Sequence, residues 1–116
     1  MTKDRLFLLK PDFHRDGEGP FYCPECALIE GLLSYYPRLR HKLDVQYVDF
    51  PKPRGAIVAA LGEANQGCPV LLLADGRRML DPSLEVRDAD GQRFIANEAH
   101  IRRYLSMTYG VGSAAG

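Results

Sequence analysis

The spacing of apolar residues changes several times along the chain, and each change marks an element. "RLFLLK", residues 5–10, is an unbroken apolar run between Asp4 and Pro11. Such a run suits a strand covered on both faces, as in a parallel sheet. Residues 11–22 carry Pro11, Gly17, Gly19 and Pro20 and read as a loop. Beyond them Leu28, Ile29, Leu32, Leu33 and Tyr36 recur at helical spacing, with Glu30 and Ser34 opposite, and Pro37 closes the segment. "DVQYVDF", 44–50, alternates and predicts a second strand. "FPKPRG", 50–55, is a turn in which Pro53 opens a helix with an apolar face of Ala56, Ile57, Ala60, Leu61 and Ala64. Asn65-Gln66-Gly67 ends that helix, and "CPVLLLA", 68–74, is a third strand. Asp75-Gly76 and Asp90-Gly91 signal tight turns around a polar excursion that carries Met79, Leu80, Leu84 and Val86. "QRFIA", 92–96, predicts a last strand, and Asn97 caps a final helix whose inward face is Ile101, Tyr104, Leu105 and Thr108.

The order is therefore β-α-β-α-β-β-α, an α/β fold with a central mixed sheet flanked by helices. The short crossover makes the first two strands parallel and the connection right-handed. Residues 1–110 read as one domain without repeat or linker, and 111–116, "VGSAAG", as a flexible tail without periodicity. A chain of 116 residues suffices for one core.

Charge narrows the partners. Fifteen basic residues balance fifteen acidic ones. Binding to nucleic acid or to an anionic membrane needs a basic excess, so neither is expected. No run approaches the roughly 18 apolar residues of a membrane span. The four apolar residues 6–9 fall short of the about 7–15 of a signal-peptide core, so the cytoplasm is the expected setting. Stable disulfides are rare there, and three cysteines cannot all pair, which argues against a purely structural disulfide framework.

The chemistry then gathers at "PFYCPEC", residues 20–26. A thiol is a nucleophile only as thiolate, and a helix N-terminus offers it unpaired N–H groups and the positive end of the dipole. With Cys23 at the cap, Pro24 becomes the first helical residue and Cys26 lies one turn in. Cys23 is then the exposed, attacking thiol, and Cys26 the partly buried thiol that resolves a mixed disulfide. The same pair fits half of a zinc or iron–sulfur site, with Cys23, Cys26, Cys68 and His14 as the ligand set. It also fits a structural pair in a non-catalytic adaptor. His14 equally reads as a solvated loop histidine, and His41 and His100 as surface residues. Cys68 reads as a small residue chosen for fit, a third redox thiol or a metal ligand. Tyr22, Tyr35, Tyr36 and Tyr47 read as core or rim aromatics, and Phe21 with Tyr22 also as an apolar lip for a partner beside Cys23.

The chain resembles the thioredoxin fold in its shorter glutaredoxin-like form. "CPEC" at the start of the first helix and the Cys68-Pro69 step before an apolar strand carry the resemblance, which spans nearly the whole chain. "CPVLLLADG" is similar to the segment in which a cis-proline precedes the third strand. "FIANEAHIRRYL" is similar to the hairpin-to-helix end of glutathione-transferase N-terminal domains. The nearest resemblance is to a small bacterial thioredoxin-like family of unassigned function. It implies a thiol–disulfide oxidoreductase with Cys23 as nucleophile, Cys26 as resolving cysteine, Pro69 as cis-proline and Cys68 facing the pair. Asn97 and Glu98 would lie where relatives bind the γ-glutamyl group of glutathione. The substrate would be a protein disulfide or a low-molecular-weight thiol conjugate, with glutathione a candidate and no bound cofactor required. Four features depart from the pattern: the longer loop before Cys23, Phe21-Tyr22 where a basic residue often stands, Cys68 where threonine or valine is common, and Glu98 in place of a small hydroxyl residue.

Overall fold

In the computed structural model, which describes residues 1–115, the apolar run after Asp4 lies inside a five-stranded sheet. It forms β1 (Arg5–Leu9), which pairs in parallel with β4 (Asp44–Val48) and antiparallel with β5 (Val70–Leu72). β7 (Gln92–Ile95) and β6 (Arg87–Ala89) complete the order β4-β1-β5-β7-β6, both pairings antiparallel. Side chains alternate across a strand. Leu6 and Leu8 therefore enter one core and Phe7 the other; Leu71 and Leu73 oppose Val70 and Leu72 in the same way. This two-sided burial is why the strands read as unbroken apolar runs.

The first core is closed by α1 (Pro24–Tyr35) through Cys26, Ile29 and Leu33, and by α4 (Glu98–Tyr109) through Ile101, Tyr104 and Leu105. The second is closed by α3 (Gly55–Leu61) through Ile57 and Leu61. A single-turn helix, α2 (Leu39–Lys42), buries Leu39 before β4. The buried stripe of α1 is centred one position away from the expected one, which leaves Leu28 51% exposed. Among the described residues, no helix is long and apolar enough to cross a membrane.

The segment expected to be a loop over 11–22 is mostly a hairpin, β2 (Phe13–Arg15) and β3 (Glu18–Phe21), pairing Phe13 with Phe21 and Arg15 with Glu18. Asp16 (φ 54°) and Gly17 (φ 77°) make its two-residue turn, the backbone that matches strand twist. A Cβ at Gly19 would meet the Phe13 carbonyl at 2.8 Å, so the close strand approach requires glycine there. The Phe13 ring stacks on Phe50 with centroids 4.3 Å apart and planes 2° apart, which seats the hairpin beside the end of β4.

Other boundaries shift for local reasons. α3 starts at Gly55 instead of Pro53, because Arg54 takes the cap position and its guanidinium holds the preceding turn. Ala56 and Ala64 are exposed. The polar excursion contains β6, which the Asp90-Gly91 turn pairs with β7. The segment read as a tail begins with a packed residue: Val111 is buried, and the Ser106 hydroxyl donates to the Gly112 carbonyl at 2.8 Å. Gly110, in the left-handed region, ends α4.

A thiol pair at the first turn of α1

Cys23 occupies the cap of α1 in an extended conformation (φ −77°, ψ 116°), and Pro24 is the first helical residue. Proline fits because its missing N–H would have had no helical partner. The Cys26 N–H donates to Cys23 Sγ at 3.2 Å, and the Ala27 N–H closes the first turn onto the Cys23 carbonyl at 3.0 Å. A sulfur thus takes the place of the usual capping oxygen. The two cysteines come within 3.0 Å of each other.

Their surroundings differ. Cys23 is half-exposed. Cys26 is buried at the end of β1, where the Leu9 N–H approaches its Sγ at 3.5 Å. Burial pushes the Cys26 pKa far above that of an ordinary thiol; the Leu9 N–H opposes this and the neighbouring Cys23 adds to it. Cys26 is therefore a neutral thiol at neutral pH.

Cys68 flanks the pair. The Cys23 thiol lies 3.9 Å from the Cys68 carbonyl oxygen, and the Cys68–Pro69 peptide is cis, as the resemblance implied. Burial pushes the Cys68 pKa up to about 11, and the Arg54 guanidinium beside it acts in the opposite direction. Arg54 is only 8% exposed. Its guanidinium donates twice to the Phe50 carbonyl, at 3.0 and 2.8 Å, and once to the Gln66 carbonyl at 2.7 Å. Sequence reasoning missed Arg54, since one arginine in a proline turn carries no pattern.

The other expected site residues separate into two groups. Tyr22 is 66% exposed and lines a cavity of about 180 Å³ together with Cys23 and Cys26. Phe21 turns into the hairpin instead, 6.1 Å from the Phe13 ring and under the Arg15 guanidinium, so the expected lip is Tyr22 alone. Asn97 caps α4 by accepting from the His100 N–H at 3.2 Å, and Glu98 pairs with Arg102. Neither residue lines the cavity beside Cys23. His14 lies on the hairpin with its ring near Gly19. Among the described residues, no group of three His, Cys, Asp or Glu side chains is placed to hold a metal ion.

The cavity adds a polar cluster that the sequence did not suggest. Glu30, expected on the solvent face of α1, lies on its rim. The Tyr47 hydroxyl donates to Glu30 Oε1 at 2.6 Å, Arg40 donates to the other carboxylate oxygen, and Arg40 also reaches the Tyr47 hydroxyl at 3.0 Å. Burial, then Glu30, raise the Tyr47 pKa. Three larger hollows, of about 590, 420 and 250 Å³, are lined by no cysteine, so reactive groups and not size single out this one.

A family model matches residues 3–113, nearly the whole chain. The chain belongs to the DUF3088 family. That family is described as a protein of unknown function. No curated protein and no solved structure matches the chain. In this DUF3088 chain, the features with intrinsic reactivity are a half-exposed thiol at a helix cap, a buried thiol within reach of it, and a third thiol beside a buried arginine.

Proposed function

We propose that this DUF3088 protein is a thiol–disulfide oxidoreductase of thioredoxin-like fold. The observation that carries the reading is Cys23 Sγ at the cap of α1, accepting the Cys26 N–H with Cys26 itself close by. The strand order β4-β1-β5-β7, one parallel and two antiparallel pairings, with α1 and α4 on one face and α3 on the other, supports the fold assignment. In the reaction, the Cys23 thiolate attacks one sulfur of a substrate disulfide. A mixed disulfide forms, and the first substrate thiol leaves with a proton. Cys26 then gives up its proton and attacks Cys23 Sγ, releasing the second substrate thiol and leaving a Cys23–Cys26 disulfide. Two electrons pass from the protein to the substrate, and a dithiol reductant restores the pair. A reducing compartment such as the cytosol suits this direction.

The test mixes fully reduced protein with bis(2-hydroxyethyl) disulfide and maps the product by mass spectrometry, with metal analysis of the same protein purified without reductant. The reading requires a Cys23–Cys26 disulfide and one equivalent of reduced substrate. Three unchanged thiols, or stoichiometric metal on the cysteines, contradict it.

A further inference from the structure

Resting on that reading, we infer that the cavity beside Cys23 receives a bulky apolar side chain flanking the substrate's cysteine. The substrate is then a polypeptide disulfide and not a free thiol conjugate. Position is the first argument. Both thiols border the cavity, and Leu8, Leu9, Pro11, Tyr22, Ala27 and Tyr47 supply most of the remaining wall. A group seated there lies next to the sulfur under attack.

Charge is the second argument. The one carboxylate on the rim, Glu30, already receives Arg40 and the Tyr47 hydroxyl. Among the described residues, the wall therefore offers no free cation for a substrate carboxylate and no free anion for an ammonium. Glutathione presents both groups. Asn97 and Glu98, the residues expected to hold its γ-glutamyl end, do not line this cavity. An uncharged side chain loses nothing by entering.

Size is the third. The cavity of about 180 Å³ is smaller than the roughly 300–1,000 Å³ of pockets that enclose a whole small molecule. It suits one large side chain of a longer chain that continues outside. Tyr22, 66% exposed, stands at its mouth as an aromatic surface that an incoming ring would cover.

The experiment uses reduced full-length protein in single turnover against three substrates: a peptide disulfide with Phe next to the cysteine, the same peptide with Gly, and glutathione disulfide. The Phe peptide is expected to react about tenfold faster than the Gly peptide, the scale of burying one large apolar side chain. Glutathione disulfide is expected to be no faster than the Gly peptide. Tyr22→Ala, which removes the mouth, and Ala27→Phe, which fills the cavity, should each bring the Phe/Gly ratio close to one. Equal rates for the two peptides, a preference for glutathione disulfide, or an unchanged ratio in both variants overturns this inference and leaves the redox reading standing. Failure to reduce any of the three overturns both.

Discussion

The two ends of β1 carry opposite kinds of chemistry. At its start, Asp4 is fully buried and every lone pair has a use. Its carboxylate accepts the Ala74 N–H at 2.7 Å, the hydroxyls of Tyr104 and Tyr109 at 2.6 Å each, and Arg77 at 3.3 Å. At its finish, Leu9 offers its N–H to a sulfur at 3.5 Å, a weak acceptor at long range, and Cys23 caps a helix with another sulfur. A buried charge must be saturated by strong hydrogen bonds, or its desolvation cost goes unanswered. A buried thiol is a small hydrophobe and needs little. The saturated end therefore locks the start of β1 to α4 and to the end of β5, and the loosely coordinated end keeps its groups free to react.

Substitution should separate these roles. The largest effect is on turnover: Cys23→Ser should lower disulfide reduction by at least about 100-fold, because a hydroxyl cannot form the mixed disulfide. Its stability in urea should stay within about 1 kcal/mol of the parent, since serine is itself a good cap. Asp4→Ala should do the reverse and cost about 3 kcal/mol, because it strands two tyrosine hydroxyls and a backbone N–H. Arg77 can turn to water, which keeps the loss at the low end of the range for breaking a buried pair. A cost under about 1 kcal/mol would mean that the Asp4 cluster is incidental.

How legible these two ends are in the sequence follows from how local their causes are. The thiol end is written in adjacent residues: Pro24 after Cys23 and an amphipathic helix after Cys26 announce a capped N-terminus. The core strands are equally plain, because burial on both faces leaves unbroken apolar runs. The Asp4 cluster is not legible, since its partners at 74, 77, 104 and 109 meet only through the fold. Arg54 beside Cys68 and the Glu30–Arg40–Tyr47 cluster are hidden for the same reason. The hairpin before Cys23 did leave a mark, Asp16-Gly17 between Phe13 and Phe21. Strands of three and four residues are too short for alternation to stand out.

Alkaline pH should sharpen the comparison with a smaller effect. The Cys68 pKa is raised from 9.0 to about 11, so the unfolded chain gives up this proton first. Stability is intact below pH 9 and declines as pH rises toward 11. Tyr104 and Tyr109 are held above the ordinary phenol value of 10.0, by burial first and then by Asp4. Their contribution is lost at higher pH. Urea midpoints along a pH series, with phenolate absorbance compared between the parent and Tyr104→Phe or Tyr109→Phe, should show the thiol loss beginning before these two tyrosines ionise. Ionisation of Tyr104 or Tyr109 at or below pH 10 in the folded protein, read as the absorbance lost in Tyr104→Phe and Tyr109→Phe, would contradict the buried cluster.

Cys23 is proposed as the attacking thiol and Cys26 as its buried partner. Site-resolved alkylation tests this most directly: reduced protein meets limiting iodoacetamide at neutral pH, and peptide mapping gives a rate for each cysteine. Cys23 should be labelled at least about tenfold faster than Cys26 and Cys68, both of which burial keeps protonated. Faster labelling of Cys26 or Cys68, or equal slow labelling of all three, would contradict it.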